Sequence, residues 1–225
     1  MNSGHGISLV AEKRLFFKSR RNEDMKKYLE TSLYIDWQNS EISTLAERLS
    51  EGSADDEEIA KNCFEWVRDH IKHSSDYQLN PVTCKASDVL KYKTGYCYAK
   101  SHLLAALLRA NGLPSGLCYQ RLSIDKSGAP YCLHGLNAVF LKKHGWYRMD
   151  ARGNKEGVDA QFSPPYEKLA FSTDEKHTED LPEIWYEPLP IIVSVLEESN
   201  TYLEVYNNLP DIALIEIEGG GRKFR

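Results

Sequence analysis

A glycine-bearing loop that runs into a cysteine, and from there directly into an apolar helix, constrains this chain more than any other feature. The loop covers residues 93–96, the cysteine is Cys97, and the helical pattern continues to residue 110. Apolar side chains recur at spacings of three and four residues, which predicts a helix that packs in the core. An Asn-Gly pair and a proline at 111–114 end it. The side chains expected on its other, polar side are Tyr98, His102 and Arg109.

Cys97 falls in the first turn of this helix. Backbone N–H groups in a first turn lack partners within the helix, and the positive end of the helix dipole is close, so the thiolate form is favoured over the thiol. Its position makes Cys97 a candidate nucleophile. A cysteine on a buried helix is nevertheless more often a small hydrophobic residue, so other residues have to decide.

Charge and cysteine content exclude several classes of protein. The 225 residues carry a net charge of -5, whereas nucleic-acid binding needs a basic surface. No apolar run approaches the about 20 residues that span a bilayer. The five cysteines are an odd number without CxxC spacing, and no hydrophobic signal core begins the sequence. We therefore expect a cytoplasmic protein with no nucleic-acid or membrane partner, and with an unknown oligomeric state.

The order of the predicted elements indicates an α+β fold, because helices come first and an antiparallel sheet second. Before Cys97, helices are predicted at 40–50, 55–73 and 86–92, after a short strand or extended arm at 32–37. Beyond it, the pattern predicts strands at 116–122, 134–141 and 146–150, a surface loop at 172–183 and one last helix at 189–206. We expect a single domain over 25–210. Residues 1–24 are expected to be a disordered tail or to precede the true start, and 211–225 to be a C-terminal tail.

Thiol catalysis needs an imidazole that moves the proton and a third group that orients the imidazole. His134 begins a predicted strand whose apolar residues share its face, so its imidazole points toward the core. Asp150 closes the next strand. Each residue alone has a plainer interpretation, His134 as a hydrogen-bonded core histidine and Asp150 as a strand-end carboxylate. With Cys97, the two form a candidate catalytic triad.

The hairpin between the two strands decides whether Asp150 can reach His134. A three-residue loop, with Leu141 opposite Gly145, puts the two side chains on the same face of the sheet, and a four-residue loop puts them on opposite faces. The catalytic interpretation therefore predicts the three-residue loop.

A metal site is the rival interpretation of the same region. Cys132 and His134, together with Cys84 or Cys97, would offer sulfur and nitrogen ligands. Zinc sites usually have two close ligand pairs, whereas this sequence has one. The triad is therefore favoured, and no metal or organic cofactor is expected.

The sequence resembles the transglutaminase-like superfamily of papain-fold cysteine enzymes over roughly residues 55–161. The resemblance rests on Gly95-Tyr96-Cys97, on Leu-Leu-Arg-Ala-Asn-Gly-Leu-Pro at 107–114, on His134 and on Trp-Tyr-Arg-Met-Asp at 146–150. Residues 150–155 are similar to the segment after the aspartate in bacterial members. The resemblance implies a papain-like fold with Cys97 as nucleophile, His134 as base and Asp150 as orienting carboxylate. The chain departs from the family at Gly135-Leu136, where many members have alanine and an aromatic residue.

We therefore predict thiol-dependent acyl transfer or hydrolysis on a peptide, protein or small amide substrate. Nothing in the sequence suggests a calcium-binding loop rich in aspartate, which favours hydrolysis over cross-linking. The family includes transglutaminases, peptidases, deamidases and members without activity. The alternative is accordingly a catalytically silent domain that binds a peptide or acts as a scaffold.

Overall fold

The computed structural model describes residues 25–125, 127–172, 177–212, 214–217 and 221–224. The tail predicted at 1–24 lies outside these residues. The domain limits predicted at 25–210 and 211–225 remain predictions.

Five α-helices, a short 3-10 helix at Lys27–Leu29 and two very short strands form the first half of the described residues. The helices are α1 (Ser40–Ser50), α2 (Asp56–His70), α3 (Ser74–Tyr77), α4 (Ala86–Tyr92) and α5 (Cys97–Ala110). The strands β1 (Lys72–His73) and β2 (Thr94–Gly95) pair in parallel. Side-chain caps start two of the helices: Asn39 accepts from the Glu41 amide before α1, and Asp55 accepts from the Glu58 amide before α2. The helix predicted at 55–73 ends earlier, because its last residues form β1.

The second half forms a four-stranded antiparallel sheet in the order β5-β4-β3-β6. Its strands are β3 (Ser115–Ser123), β4 (Tyr131–Leu141), β5 (Gly145–Met149) and β6 (Thr178–Asp180). Leu141 pairs with Gly145, so the predicted three-residue loop is confirmed. Helices packed on an antiparallel sheet confirm the α+β, papain-like fold class.

Helix α5 lies between the other helices and the sheet, and every residue from Cys97 to Arg109 is buried. The predicted core helix is therefore confirmed, and the side with Tyr98, His102 and Arg109 is buried as well. Its polar atoms bind backbone carbonyls: Tyr98 donates to Leu133, His102 Nδ1 lies 2.7 Å from the Cys84 oxygen, and Arg109 donates to Glu30, Ser115 and Tyr186. Burying a polar group costs free energy unless it is hydrogen-bonded. These hydrogen bonds offset the free-energy cost of burying the polar side chains of α5.

Several segments differ from the sequence-based expectation. Residues 32–37 form bends and a turn rather than a strand. Strand β6 lies within the predicted 172–183 loop, because the edge of β3 offers backbone groups for pairing.

The predicted last helix is two helices, α6 (Pro190–Glu198) and α7 (Tyr202–Asn207). Thr201 separates them because its side chain accepts from the Glu204 amide and starts α7. A hairpin of β7 (Leu214–Ile217) and β8 (Gly221–Phe224) follows. In the part of the chain described, no helix combines the length and apolar character needed to cross a membrane.

Candidate active site

Cys97 is the first residue of α5, and 6% of its surface is exposed. The preceding residue, Tyr96, is extended and provides no side-chain cap to the helix. A Cβ atom on Gly95 would lie 3.1 Å from the Ala99 Cβ and 3.2 Å from the Thr83 hydroxyl. Glycine therefore allows the loop to pass tightly over the first turn of α5 and to deliver Cys97 there.

His134 lies on β4, next to the start of α5. The backbone N–H of its neighbour, Gly135, donates to the Cys97 sulfur at 3.4 Å. A Cβ atom at position 135 would lie 3.0 Å from the Tyr98 ring and 3.1 Å from the Tyr98 Cα. The glycine that departs from the family pattern therefore lets β4 approach the first turn of α5 closely.

His134 and Asp150 are joined by a buried hydrogen bond. The His134 Nε2 lies 2.7 Å from Asp150 Oδ2, and the two residues are 3% and 1% exposed. Two backbone N–H groups also hold the carboxylate: Arg152 donates to Oδ1 at 3.0 Å, and Ala170 donates to Oδ2 at 3.1 Å. The structure thus brings together the three residues that the sequence singled out, Cys97, His134 and Asp150.

Charges in this cluster oppose the effect of burial. Burial lowers the pKa of His134, but the Asp150 carboxylate and the Cys97 sulfur, through charge and hydrogen bonding, raise it to about 10. Burial raises the pKa of Asp150, but His134 and the backbone N–H groups of Arg152 and Ala170 bring it below its usual value. Asp150 and Cys97 thus both favour the protonated form of the His134 imidazole, and His134 favours the ionised form of Asp150.

The other four cysteines have different surroundings. Burial raises the pKa of each of their thiols to about 12, and the residues are Cys63, Cys84, Cys118 and Cys132. All five cysteines are free. Within the described residues, no group of three or more His, Cys, Asp or Glu side chains is arranged to hold a metal ion, the rival set around Cys132 and His134 included.

Sequence reasoning missed Phe171, whose ring meets the His134 ring edge to face with centroids 4.8 Å apart. It covers the imidazole, which is followed along β4 by Gly135 and Leu136 and not directly by an aromatic residue. Phe171 lies in an irregular segment, and no sequence pattern connects it with His134.

Lys100 was also missed. It lies one turn after Cys97 and is 1% exposed, and its Nζ donates to the backbone oxygens of Ile71 and Arg68. Burial lowers the pKa of Lys100 to about 7, although the negative charge of Asp150 acts to raise it. A lone lysine in an apolar helix carries no signal that it is buried.

The fold is of the papain-like α+β class, and it places Cys97, His134 and Asp150 in one buried cluster. The profile of the transglutaminase-like superfamily matches residues 43–151, from α1 to just past Asp150. This segment of the chain belongs to the transglutaminase-like superfamily.

Solved structures with similarity to the chain come from several bacteria. A candidate cysteine protease from Cytophaga hutchinsonii is 14% identical, with a TM-score of 0.47 over 70% of this chain and 63% of that one. The periplasmic domain of TgpA from Pseudomonas aeruginosa is 16% identical, with a TM-score of 0.45 over 58% of this chain and 47% of that one. The chain thus spans less than two thirds of the length of each of these two solved structures. No curated protein matches the chain.

Proposed function

We propose that this chain is a thiol-dependent hydrolase or acyltransferase that acts on a peptide, protein or small amide substrate. Cys97 serves as nucleophile, His134 as acid and base, and Asp150 as the orienting carboxylate. The observation that carries the proposal is the buried 2.7 Å His134–Asp150 hydrogen bond beside the Cys97 sulfur. Membership of the transglutaminase-like superfamily supports it.

In the first half of the reaction, the Cys97 sulfur attacks the carbonyl carbon of the substrate. The backbone N–H groups at the start of α5 lack helical partners and stabilise the negative charge on the carbonyl oxygen. Asp150 holds Nε2 of His134, which leaves Nδ1 to give its proton to the departing amine. The C–N bond breaks and a thioester with Cys97 forms.

In the second half, water or an amine attacks the thioester. His134 takes the proton of the attacking group, and the C–S bond breaks. Water yields a carboxylic acid and an amine acceptor yields a new amide, and the Cys97–His134 pair is restored in either case. Asp150 keeps the imidazole oriented through both halves.

The compartment and the partners are part of the proposal. Five free cysteines support a reducing, cytoplasmic setting. The net charge of -5 supports a protein that acts on peptide or amide substrates and not on nucleic acid.

A catalytically silent peptide-binding domain is the second candidate, and the low exposure of the site favours it. Cys97 is 6% exposed and His134 is 3% exposed. The Tyr96 hydroxyl donates to the Tyr202 backbone oxygen at 2.6 Å, which ties the loop before Cys97 to α7. A domain that only held a peptide would need no accessible sulfur.

Alkylation by iodoacetamide at mildly acidic pH, followed site by site with peptide mass spectrometry, distinguishes the two candidates. We expect Cys97 to react at least about a hundredfold faster than the other four cysteines, because they remain thiols at this pH. His134→Gln should slow the reaction of Cys97, and His144→Gln on the β4–β5 loop is the matched control. Equally slow labelling of all five cysteines would favour the silent domain.

A further inference from the structure

A cavity of about 340 Å³ opens beside the loop that follows Asp150. The end of α2, β1, α3 and the 152–155 loop line it. Two contacts connect it with the candidate site: Arg152 donates its backbone N–H to Asp150, and the His73 ring meets the Tyr96 ring edge to face at 5.4 Å. The cavity therefore adjoins one residue that holds Asp150 and one that packs on the loop before Cys97.

The lining of the cavity is positively charged, although the whole chain is acidic. Four cationic and two anionic side chains give it a net charge of +2, with histidine counted as neutral. Asp76 is shared by two of the cations, since Arg152 binds both of its oxygens at 2.7 and 3.0 Å and Lys155 binds Oδ1 at 2.7 Å. Burial raises the pKa of Asp76, but these two partners lower it to about 2. One carboxylate thus faces two cations, and a positive charge is left over.

Lys72 adds a second uncompensated charge. Its Nζ lies 5.1 Å from the centre of the Tyr77 ring, and among the described residues it forms no ion pair with a carboxylate. Arg68, by contrast, is paired with the adjacent Asp69. An anionic ligand would therefore find two cations whose charge is not balanced.

His73 gives the cavity a polar group without a partner. The residue is 6% exposed, and within the described residues its Nδ1 has no hydrogen-bond partner, with Asp76 Oδ1 at 3.9 Å. Burial and the charge of Arg152 lower the pKa of His73 well below its usual value, so the ring is neutral at pH 7. A buried polar atom without a partner costs free energy, and a ligand that satisfies it recovers that cost.

We propose that this cavity is a subsite for a carboxylate group of the substrate, bound by Arg152, Lys155 and His73. The proposal rests on the proposed function and narrows its substrate class to acidic peptides or amides. An arginine side chain has five N–H donors. Asp76 occupies two nitrogens of Arg152, and the remaining donors, with Lys155, suit a second carboxylate. The carboxylate is either an acidic side chain or a free C-terminus.

Three acetylated tripeptides test the proposal by isothermal titration calorimetry with Cys97→Ala, which binds without turnover. Ac-Ala-Ala-Glu-amide carries a side-chain carboxylate, Ac-Ala-Ala-Gln with a free acid carries a terminal one, and Ac-Ala-Ala-Gln-amide carries none. We expect one of the two acidic peptides to bind at least about tenfold more tightly than the neutral peptide. A gain of this size corresponds to one charge-assisted hydrogen bond. Whichever acidic peptide binds identifies the source of the carboxylate.

A second substitution assigns the binding to the cavity. Lys155→Gln in the same background should remove most of that preference, while Lys168→Gln should keep it. Both lysines are about half exposed and paired with an aspartate, but Lys168 lies outside the cavity. Equal binding of the three peptides, no binding of any, or a preference that survives Lys155→Gln would overturn the proposal.

The outcome is separable from that of the alkylation experiment. Fast, selective alkylation of Cys97 without a carboxylate preference would overturn the subsite and leave the proposed function intact. A carboxylate preference without selective alkylation would overturn the catalytic role and leave an anion site in a silent domain.

Discussion

Leu141 lies directly opposite Gly145 across the β4–β5 turn, and this pairing places Asp150 on the same face of the sheet as His134. Side chains alternate between the two faces of a strand, so a shift of one residue would send Asp150 to the other face. The 2.7 Å hydrogen bond between His134 and Asp150 depends on that register. Asp150 comes five residues after Gly145, about 16 Å along the strand at about 3.3 Å per residue. The length of the three-residue loop therefore determines the geometry of the candidate triad from a distance.

The first prediction concerns Gly145, whose φ of +76° is unfavourable for residues with a side chain. No atom lies within 4 Å of a Cβ built at this position, so space is not the constraint. We expect Gly145→Ala to lower the free energy of unfolding by about 1 kcal/mol, and Gly145→Asn by less, because asparagine tolerates positive φ better. Urea unfolding measures both variants. Equal stability of the alanine and asparagine variants would contradict the backbone explanation.

The second prediction separates the charge of Asp150 from its hydrogen bonds. Asp150→Asn keeps an oxygen acceptor but removes the charge that stabilises the His134 imidazolium, so the alkylation rate of Cys97 should fall at least about tenfold. Arg152 and Ala170 donate to different oxygens of Asp150, so asparagine keeps the acceptor of one backbone N–H group and alanine keeps neither. We expect Asp150→Ala to be about 1–3 kcal/mol less stable than Asp150→Asn in urea unfolding.

Asp159→Asn is the matched control, because the Asp159 side chain is 60% exposed and lies outside the candidate site. It should leave the alkylation rate of Cys97 unchanged. An Asp150→Asn variant that alkylates as fast as the wild type would show that the carboxylate does not act on Cys97 through His134.

The third prediction follows from the buried amine of Lys100, whose pKa burial lowers to about 7. In the unfolded chain a lysine has a pKa of about 10.4, so between these values the unfolded state binds more protons than the folded state. Stability from this group therefore rises with pH over that window, by up to about 5 kcal/mol. Lys100→Met should lose this rise, which urea unfolding at a series of pH values measures.

Two features keep this measurement interpretable. Lys100→Met also removes the hydrogen bonds to Ile71 and Arg68, so the readout is the slope with pH and not the stability at one pH. Lys61→Met is the control, because this lysine is about half exposed and should keep the wild-type slope. A wild-type slope in Lys100→Met would mean that the amine stays charged in the folded protein.

Local signals predicted much of the helical half and the three candidate residues. The predicted limits of α1 and α4 match the structure, because periodicity and end signals act within one or two turns. Cys97 was found from its place at a helix start, and His134 and Asp150 from their strands. The three-residue β4–β5 loop could be predicted because side chains alternate between the two faces of a strand, so the loop length decides which side chains share a face.

Other features depended on contacts between distant segments. Periodicity assigned a polar side to α5, but the sequence does not show that Arg109 meets the carbonyls of Glu30 and Tyr186 across the fold. The break between α6 and α7 falls in the polar residues 197–201, and it was missed because the cap that starts α7 depends on the single side chain of Thr201.

By itself, the sequence determined the order of helices and strands, the cysteine at a helix start and the requirement for an odd-length turn between β4 and β5. Only the tertiary structure decided what surrounds those groups. Phe171 packs against His134, the Lys100 side chain of α5 is buried against the end of α2, and a positively charged cavity lies at Arg152. The physical reason is the distance along the chain over which each effect acts. Backbone propensity and alternation act over a few residues, whereas desolvation and the pairing of charges depend on which distant segments pack together.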